Sequence, residues 1–540
     1  MSMITATTWV PRGFAAPFPH KYIFDDDEFE RISQLARLQL DDAKDDLDAA
    51  KNGDKSDEDE EPKSNAAAIA ASKDDIEIDD DLKEYDLEHY DDDEGAVDKD
   101  GEPLGIFGNV KSLVYHENND DDPYITMPDN VDDDVEREEL QILDSDNLVL
   151  AARIEDEMAH LEVYVYEDEA DNLYVHHDIM LPAIPLTVEW LNTPVGKGPI
   201  EENSRGNFVA VGTMDPDIEI WDLDIVDCMY PNAILGQGAE DMPNGEKPKK
   251  KKKKKKSKKA NDDYHVDAVL SLAANRTHRN LLASSSADKT VKLWDLNTTK
   301  CAKSYTYHTD KVCSLAWHPT ETTVLLSGSY DRTVVAADMR APDAKVPRWG
   351  VESDVEQVRW DPHDPNFFYV STENGIIHYH DARLAPSDPS QTKPIWTLQA
   401  HDESISSFDI NPVVPGFIAT GSTDKEVKLW NVQPTGPSMV VSRNLGVGKV
   451  FSTSFAPDKE VGFRLAVAGS KGSVQVWDTS TNAAVRRAFA HRVAPAEGEV
   501  KERLVGVQES DSESDSGEDE DEDGKGSDAG PDGWESMDEE

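Results

Sequence analysis

Apolar and polar residues alternate in a short segment that recurs along the chain and usually ends in tryptophan followed by aspartate or asparagine. One copy reads Asp-Lys-Thr-Val-Lys-Leu-Trp-Asp and ends at Asp295. Other copies with tryptophan end at Asp222, Asn431 and Asp478, and copies without it end at Glu167, Asp338 and Asp381. Alternation with a period of two predicts a β-strand whose two faces meet different surroundings.

The spacing of these copies predicts the architecture. Successive copies end between 43 and 73 residues apart, and a blade of a WD-type β-propeller takes about 40–45 residues. A second apolar strand precedes most copies and ends near a proline or aspartate, as in Val312–Trp317 and Val355–Trp360. We therefore predict an all-β fold, a seven-bladed WD40 β-propeller over residues 141–492, with a lysine-rich insertion at 236–262.

Polar residues recur at fixed places around the alternating segments. WD repeats often tie a blade together with a hydrogen-bonded set of histidine, serine or threonine, aspartate and tryptophan. Buried polar groups need partners, and in such a set they supply one another. By resemblance to this pattern we expect two structural tetrads, which are His265, Ser284, Asp288 and Trp294, and His401, Thr420, Asp424 and Trp430.

A third blade has only part of this set. It contains His308, Ser327 and Asp331, but Ala337 stands where tryptophan is expected, so we expect this blade to be less rigid. In a repeat context we interpret these polar residues as internal fasteners rather than metal ligands or catalytic groups. The chain also lacks a complete phosphate-binding loop, a nucleophile elbow and a metalloprotease helix motif. We therefore expect no enzyme activity, no catalytic or metal site and no cofactor.

Charge divides the chain into three parts. The net charge is −57; residues 1–140 hold 43 acidic and 13 basic side chains, and residues 496–540 hold 19 and 3. Segments of this composition bury too little apolar surface to offset chain entropy. We therefore predict that residues 1–140 and 493–540 are acidic, mostly disordered arms. Their composition leaves open whether they serve solubility alone or compete with nucleic acid for basic partners such as histones or ribosomal proteins.

The N-terminal arm contains apolar residues that could contact a partner. An amphipathic helix is predicted near residues 27–48, and its apolar residues lie largely at helical spacing. Such a helix docks on the propeller or on a partner, and we favour a partner. The apolar extreme N-terminus is interpreted as an anchor peptide bound elsewhere, so removal of residues 1–51 should leave a folded propeller. The candidates for partner docking are Trp9, Phe29, Ile32 and Leu35.

Two further segments indicate how the protein would be transported in the cell and where it would be phosphorylated. An unbroken lysine tract is interpreted as a nuclear import signal, with RNA phosphates as a second candidate ligand; it consists of Lys249, Lys250, Lys251, Lys252, Lys253, Lys254, Lys255 and Lys256. Ser510, Ser512 and Ser516 each precede an acidic residue by three places, a pattern that acidophilic kinases read. The three cysteines lack Cys-x-x-Cys spacing, and we find no signal peptide or membrane span. We therefore expect a phosphoprotein of a reducing compartment.

With these landmarks the chain resembles the periodic tryptophan protein family, in the branch of its first member. The resemblance covers residues 9–13, residues 38–44, the repeats, the lysine-rich insertion and the acidic tail. It implies a protein of the nucleus and nucleolus that is needed for ribosomal RNA processing and for assembly of the large ribosomal subunit. It also implies a link with chromatin at ribosomal DNA.

Two functions are therefore expected. The first is a non-enzymatic scaffold in ribosome biogenesis, a monomer within a large complex, which supports pre-rRNA processing and large (60S) subunit assembly. Its partners would be assembly factors and ribosomal proteins of pre-60S particles, with pre-rRNA as a further candidate and no membrane contact. The alternative is a WD40 adaptor that binds histones or chromatin at ribosomal DNA. Acidic arms suit both functions, so the sequence leaves the choice open.

Overall fold

A computed structural model describes residues 2–22, 28, 140–156, 158–195, 205–236, 260–341, 344–490, 492 and 501–506. These residues form seven four-stranded sheets and one two-stranded parallel pair. The four-stranded sheets are the blades of an all-β, seven-bladed propeller, which confirms the predicted fold class. No helix among the described residues is long and apolar enough to cross a membrane.

The strands follow the chain blade by blade, apart from the first two. These are β1 (Ser2–Val10), which belongs to blade 1, and β2 (His20–Lys21). Blade 1 continues with β3 (Asn147–Glu155), β4 (Met158–Glu167) and β5 (Asn172–Leu181). Blade 2 contains β6 (Pro185–Leu191), β7 (Phe208–Thr213), β8 (Ile218–Asp222) and β10 (Ala233–Leu235), while β9 (Ile225–Val226) pairs with β2.

The remaining blades are continuous in sequence until the last strand. Blade 3 contains β11 (Val269–Ala274), β12 (Leu281–Ser286), β13 (Val291–Asp295) and β14 (Lys300–Tyr305). Blade 4 contains β15 (Val312–Trp317), β16 (Val324–Ser329), β17 (Thr333–Asp338) and β18 (Arg348–Gly350). Blade 5 contains β19 (Val355–Trp360), β20 (Phe367–Thr372), β21 (Ile376–Asp381) and β22 (Trp396–Gln399).

Blades 6 and 7 complete the ring. Blade 6 contains β23 (Ser407–Ile410), β24 (Phe417–Gly421), β25 (Val427–Gln433) and β26 (Gly436–Arg443). Blade 7 contains β27 (Val450–Phe455), β28 (Arg464–Gly469), β29 (Val474–Asp478) and β30 (Arg503–Gly506). Helical turns in the described residues are the 3-10 segments Pro389–Gln391 and Thr479–Thr481 and the helix α1 (Ala483–Ala488).

The apolar core lies in wedges between neighbouring blades. Between blades 4 and 5, Leu326 and Val334 pack with Val358 and Phe368, and all four side chains are buried. Each blade is therefore covered on its two faces by its neighbours, as expected for a repeat that cannot bury its apolar surface alone. A ring left open at any interface would expose two such faces to water.

One face of the ring carries the turns between the second and third strands of each blade, together with the connections from one blade to the next. We call it the turn face. In blades 3 to 7 a residue of positive φ recurs in these turns; it is Lys289 (71°), Arg332 (63°), Gly375 (76°), Lys425 (70°) or Gly472 (72°). Where this residue is not glycine, an aspartate precedes it and fixes the turn, as when Thr290 N–H donates to Asp288 Oδ1 at 2.9 Å.

The N-terminal strand β1 closes the ring, so the prediction that residues 1–140 form a mostly disordered arm is wrong for this segment. β1 pairs with β3 and lies between β27 of blade 7 and β6 of blade 2. Thr7 N–H donates to Ser452 Oγ at 3.1 Å, just as Leu315 N–H in blade 4 donates to Ser271 Oγ of blade 3 at 3.3 Å. β1 is therefore an inner strand like the others, supplied by the start of the chain.

The C-terminal boundary differs from the prediction as well. β30 pairs with β29 as the outer strand of blade 7, so the acidic tail predicted from residue 493 contributes a strand. On the N-terminal side, β2 pairs with β9 and Ile142 N–H donates to Pro17 O at 3.0 Å, which places residues 11–22 along blades 1 and 2. The helix predicted near residues 27–48 and most of the lysine-rich insertion lie outside the described residues.

Candidate functional site

The first predicted tetrad comes together inside blade 3. His265 lies 3.0 Å from Asp288 through Nδ1 and 2.7 Å from Ser284 through Nε2, and Trp294 Nε1 donates to Ser284 Oγ at 2.8 Å. Burial lowers the pKa of His265, so the neutral ring donates Nδ1–H to Asp288 and accepts from Ser284. Burial alone would raise the pKa of Asp288, but hydrogen bonds from His265 and Thr290 outweigh it and lower this pKa to about 2.

The second tetrad has the same geometry in blade 6. His401 lies 2.7 Å from Asp424 and 2.8 Å from Thr420, whose Oγ1 accepts from Trp430 Nε1 at 3.0 Å. Burial lowers the pKa of His401, which keeps this ring neutral too. Serine and threonine thus play the same part, because either hydroxyl can accept the indole proton while it donates to the imidazole.

Blade 4 keeps the set without its tryptophan. His308 lies 3.1 Å from Asp331 and 2.9 Å from Ser327. Ala337 offers no indole N–H, and the nearest further acceptor for the Ser327 hydroxyl is the Val335 carbonyl oxygen at 3.5 Å. The hydroxyl therefore carries one short side-chain hydrogen bond here, where blade 3 has two.

Blade 5 departs further from the pattern. His380 stands at the place of the tetrad tryptophan, stacks on Phe368 with ring centroids 5.2 Å apart, and has a buried Nε2 without a hydrogen-bond partner. Burial lowers the pKa of His380 to about 3, so this ring is neutral. His378 lines the groove between blades 4 and 5 and lies 2.9 Å from Glu352. Apolar stacking replaces the hydrogen-bonded fastening in this blade.

Trp9, predicted to dock a partner, lies instead inside the seam between blades 7 and 1. Its side chain is 5% exposed, its Nε1 donates to Ser454 O at 2.9 Å, and its ring meets Tyr166 edge to face at 5.9 Å. A partner cannot reach a side chain buried in this way, so the prediction for Trp9 is wrong. The other predicted docking residues lie outside the described residues; they are Phe29, Ile32 and Leu35.

A sequence signal for this inner strand was present. A proline lies two positions after Trp9, as it does after Trp317 and Trp360 at the ends of β15 and β19. The indoles of Trp317 and Trp360 each donate to a carbonyl oxygen of the preceding blade, at 2.9 and 3.2 Å. Trp9 makes the same bond to blade 7. The shared Trp-x-Pro pattern would have assigned residues 2–10 to a blade.

Charged side chains of blade 1 and blade 7 meet across the same seam. Arg464 Nε donates to Asp168 Oδ1 at 2.7 Å, and its Nη1 lies 2.7 Å from Asp478 Oδ1. Arg503 of β30 also approaches Asp168, at 3.6 Å. Burial raises the pKa of Tyr166 to about 12, so its neutral hydroxyl donates to Asp168 at 2.9 Å. The seam between blades 7 and 1 therefore combines an apolar inner strand with an ionic outer part.

The described residues contain no group of three or more His, Cys, Asp or Glu side chains placed to hold a metal ion. Cys228, Cys301 and Cys313 take part in no disulfide bond. The import lysines Lys249–Lys256 and the phosphorylation candidates Ser510, Ser512 and Ser516 lie outside the described residues and stay predictions. What the described residues form is a closed ring in which polar clusters fasten individual blades from within.

The family model described as "WD domain, G-beta repeat" matches residues 260–295, 299–335 and 392–431. These ranges contain the three histidine–hydroxyl–aspartate sets of blades 3, 4 and 6. The WD40 propeller is a scaffold fold that is typically not enzymatic. A chain in the crystal structure of the mitotic checkpoint complex superposes with a TM-score of 0.44 at 18% identity, over 61% of this chain and 83% of that chain.

Three relatives match along almost the whole chain. An uncharacterized WD repeat-containing protein of Schizosaccharomyces pombe is 52% identical over 94% of this chain and 95% of its own length. Periodic tryptophan protein 1 of Saccharomyces cerevisiae is 40% identical over 94% of this chain and 93% of its own. The periodic tryptophan protein 1 homolog of Drosophila melanogaster is 31% identical over 91% and 96%, respectively.

Proposed function

The chain belongs to the periodic tryptophan protein 1 family of WD-repeat proteins, and from this we propose that it is a non-enzymatic scaffold in ribosome biogenesis. It would support pre-rRNA processing and large (60S) subunit assembly in the nucleolus, the role that the resemblance implies. The observation that carries the proposal is similarity over 94% of the chain at 40% identity, which includes the arms as well as the repeats. A fold shared by many unrelated proteins would not support so specific a role.

The architecture suits a scaffold. A closed ring of seven blades has two faces and an outer rim on which partners would bind; these partners would be assembly factors, ribosomal proteins and pre-rRNA. The sequence adds long acidic segments at both ends and eight consecutive lysines, Lys249–Lys256, between blades 2 and 3. We propose that these lysines direct nuclear import and that the acidic segments attract basic ribosomal proteins.

A second candidate function is an adaptor for histones or chromatin at ribosomal DNA. Net charge favours it equally, because the −57 of this chain would attract histones as well as ribosomal proteins. The two functions differ in the nucleic acid that holds the complex together. They can therefore be separated by nuclease treatment.

Sedimentation of nuclear extract through a sucrose gradient tests the proposal. We expect the full-length protein to sediment with particles that contain large-subunit pre-rRNA and to move to light fractions after RNase treatment. Release by DNase alone would refute the scaffold role and favour the chromatin adaptor. Sedimentation as a free monomer under all conditions would refute both.

Two variants sharpen this experiment. Deletion of residues 29–51 removes Phe29, Ile32 and Leu35 but keeps β1 and β2, so we expect normal thermal unfolding and loss of particle association. Replacement of Lys249–Lys256 with serine should leave folding unchanged and make the protein cytoplasmic in fluorescence images. Normal particle association of the first variant, or unchanged nuclear signal of the second, would contradict the role assigned to that segment.

A further inference from the structure

The innermost strands of the blades share an irregularity close to the turn face. In six of them the pairing with the second strand skips one residue, as it skips Cys313 between Val312 and Ser314. A skipped residue forms a β-bulge, which re-aims its side chain. The skipped residues, together with Ser406 at the same place in blade 6, are Thr5, Leu186, Leu270, Cys313, Glu356, Ser406 and Phe451.

These seven residues are neighbours around the ring. In three of them the side chain donates a hydrogen bond to the carbonyl oxygen directly before the corresponding residue of the next blade. The donors are Thr5, Cys313 and Ser406, and the acceptors are Pro185, Val355 and Val450, respectively. The connections between blades lie on the turn face, so each inner strand begins there. The seven residues therefore surround the turn-face end of the central channel, and we call them the channel mouth.

The apolar residues of the channel mouth face the channel. Leu186, Leu270 and Phe451 are half-buried, whereas Val269 and Val450, which directly precede two of them, are fully buried. In the described part of the chain, none of the three belongs to the apolar clusters that pack between blades. A side chain on an innermost strand that contacts no neighbouring blade core is left to line the channel.

Glu356 is the charged residue of the channel mouth. Ser404 Oγ donates to its Oε1 at 3.4 Å, and no described lysine or arginine forms an ion pair with it. Arg332 pairs with Asp354 instead, at 3.0 Å. Burial raises the pKa of Glu356 to about 7, because the opposing effect of the Ser404 hydrogen bond is smaller and Glu373 and Asp354 add negative charge. Glu356 thus lacks the counter-charge that a buried carboxylate normally has.

Aromatic side chains flank this carboxylate. Tyr330 follows β16 in the turn of blade 4; burial, together with the charge of Glu356, raises the pKa of this tyrosine, so its hydroxyl is neutral. Phe451 lies on the other side, because Ser406, two residues from Ser404, bonds to the carbonyl oxygen directly before Phe451. Aromatic rings attract cations. The channel mouth therefore offers a carboxylate, aromatic rings and aliphatic side chains in one place.

We propose that the channel mouth binds a lysine or arginine side chain of a partner protein, with the cation against Glu356 and the aliphatic stem along the apolar residues of the mouth. Both side chains combine a charged end with an apolar stem, as this surface requires. Glu356 and Glu373 would repel the phosphates of a nucleic acid. The proposal rests on the scaffold function above and names the chemistry by which this face recruits a basic protein.

The chain's own lysine-rich insertion is a competing source of lysine. It leaves blade 2 after β10 and returns before β11, so it begins and ends on the turn face. Residues 247–259 consist of lysine, one proline and one serine, so they supply no apolar residue for Leu186, Leu270 and Phe451 to contact. A partner segment with an apolar residue beside its lysine would bury more apolar area. The partner is therefore the occupant to test.

Fluorescence anisotropy with purified full-length protein at about 0.15 M salt tests the proposal. The probe is a labelled, extended peptide of about nine residues, roughly 30 Å long, with both ends blocked. It carries leucine beside one central lysine, and a second probe carries arginine instead. The reference peptide has norleucine at this position, which keeps the apolar stem and removes the charge. We expect both cationic probes to bind at least about tenfold more tightly than the reference.

The decisive variant is Glu356→Gln, which keeps the size of the side chain. It removes a buried charge without a counter-ion, so we expect an equal or higher melting temperature and loss of the tenfold preference. Glu321→Gln removes the same charge at an exposed side chain between β15 and β16, on the opposite face, and should keep the preference. The long acidic segments are the same in both variants, so any attraction of the probe to them is equal.

Three results would overturn the proposal. The first is a parent chain without the preference, and the second is a Glu356→Gln variant that keeps it. The third is a lower melting temperature of Glu356→Gln, which would identify Glu356 as a group that serves the fold.

Replacement of Lys249–Lys256 with serine separates the two sources of lysine. We expect this variant to show the preference of the parent chain to within about twofold. A preference that appears only in this variant would mean that the chain's own lysines occupy the channel mouth, and it would overturn the partner as the occupant.

The sucrose gradient gives an independent readout. Failure of the peptide experiment would remove the channel mouth as a binding site and leave the sedimentation result of the parent chain untouched. Conversely, a chain that binds the cationic probes through Glu356 but sediments as a free monomer would support the site and refute the ribosomal role. The two conclusions can therefore fail separately.

Discussion

Blade 3 is built from one continuous stretch of chain, residues 269–305, whereas the seam between blades 7 and 1 depends on strands from both ends of it. Blade 3 is fastened from within by a hydrogen-bonded tetrad around Ser284. The seam is fastened by the apolar strand β1 and by ion pairs around Arg464. Blade 3 is thus stabilised by contacts between residues close in sequence, whereas the seam between blades 7 and 1 is stabilised by contacts between residues far apart in sequence.

This difference indicates which part of the ring is most easily destabilised. Contacts between neighbouring strands of blade 3 can form as soon as that stretch folds, while β1 must wait for blades 1 and 7. Once β1 is in place, each blade face is covered by a neighbour. We infer that the seam closes last and that loss of β1 affects the whole ring, whereas loss of a tetrad bond affects mainly one blade.

Removal of β1 should have the largest effect on the stability of the ring. Deletion of residues 2–10 removes Ile4 and Trp9, which are buried at the seam, and Val10, which is buried between blades 1 and 2. Burial of side chains this size stabilises a fold by about 2 kcal/mol each, so the loss is on the order of 6 kcal/mol, much of the stability of an average domain. We expect loss of a cooperative thermal transition by circular dichroism.

Residues 43–51 provide a deletion of equal length as a control, because this deletion leaves every described strand of the seven blades in place. This second deletion should leave the melting temperature unchanged. Addition of a peptide of residues 1–22 in trans should restore part of the transition of the first variant. Equal melting behaviour of the two deletions would refute the closing role of β1.

Trp9→Ala tests the seam without shortening the chain. The substitution removes the hydrogen bond to Ser454 O and the contact with Tyr166, and it leaves a cavity between two blades. We expect a loss of about 3–5 kcal/mol in the free energy of unfolding, measured with urea. Hydrogen exchange should increase in β3 and β27, which flank the cavity.

Trp294→Ala is the matched substitution inside blade 3, since that indole is also buried and bonded. Its loss of stability should be of similar size, but the increase in hydrogen exchange should centre on β12 and β13. If both substitutions loosened the same strands, the distinction between local and long-range fastening would be wrong.

The local part of this comparison could be predicted from the sequence. The residues of a tetrad lie within one repeat, so their spacing alone indicated that His265, Ser284, Asp288 and Trp294 belong together. The alternating segment likewise indicated the third strand of each blade. Both signals depend only on residues that are close in sequence, where strand periodicity and turn chemistry act.

The long-range part could not be predicted in the same way. Residues 2–10 are separated from β3 by a highly acidic segment, and composition assigned them to that segment although Trp9 carries the Trp-x-Pro pattern of an inner strand. β30 has only four residues, none of them fully buried, so its sequence has no alternation strong enough to indicate a strand. Its place is decided by contacts such as that of Arg503 with Asp168.

Acid should weaken the blades before it weakens the Arg464–Asp168 ion pair of the seam. Burial lowers the pKa of His265 and His401, so below about pH 6.5 the unfolded chain binds protons that the folded chain does not. Stability is therefore fully present above pH 6.5 and falls with decreasing pH, by up to about 1.4 kcal/mol per pH unit for each histidine. Burial would raise the pKa of Asp168, but the hydrogen bond and charge of Arg464, with the hydrogen bond from Tyr166, together outweigh it and lower this pKa, so the Arg464–Asp168 pair loses charge only at lower pH.

The dependence of the unfolding free energy on pH between about 7 and 5 measures this effect. His265→Gln should reduce stability at neutral pH and make the decline towards pH 5 shallower, because one of the titrating groups is gone. Arg464→Gln should also reduce stability but keep the slope of the parent chain. An unchanged slope in His265→Gln would contradict the neutral state assigned to this ring.

The smallest expected effect separates a complete tetrad from an incomplete one. Ser284→Ala leaves both His265 Nε2 and Trp294 Nε1 without a hydrogen-bond partner. Ser327→Ala in blade 4 leaves only His308 Nε2 without one, because Ala337 has no indole. Each buried group without a hydrogen-bond partner lowers the free energy of unfolding by about 1–3 kcal/mol, so the blade 3 variant should lose at least about 1 kcal/mol more, measured by urea unfolding.

Ser284→Thr should leave the free energy of unfolding nearly unchanged, since threonine occupies this position in blade 6. Equal losses in the two alanine variants would mean that the indole hydrogen bond adds nothing and that the tryptophan stabilises its blade through packing alone.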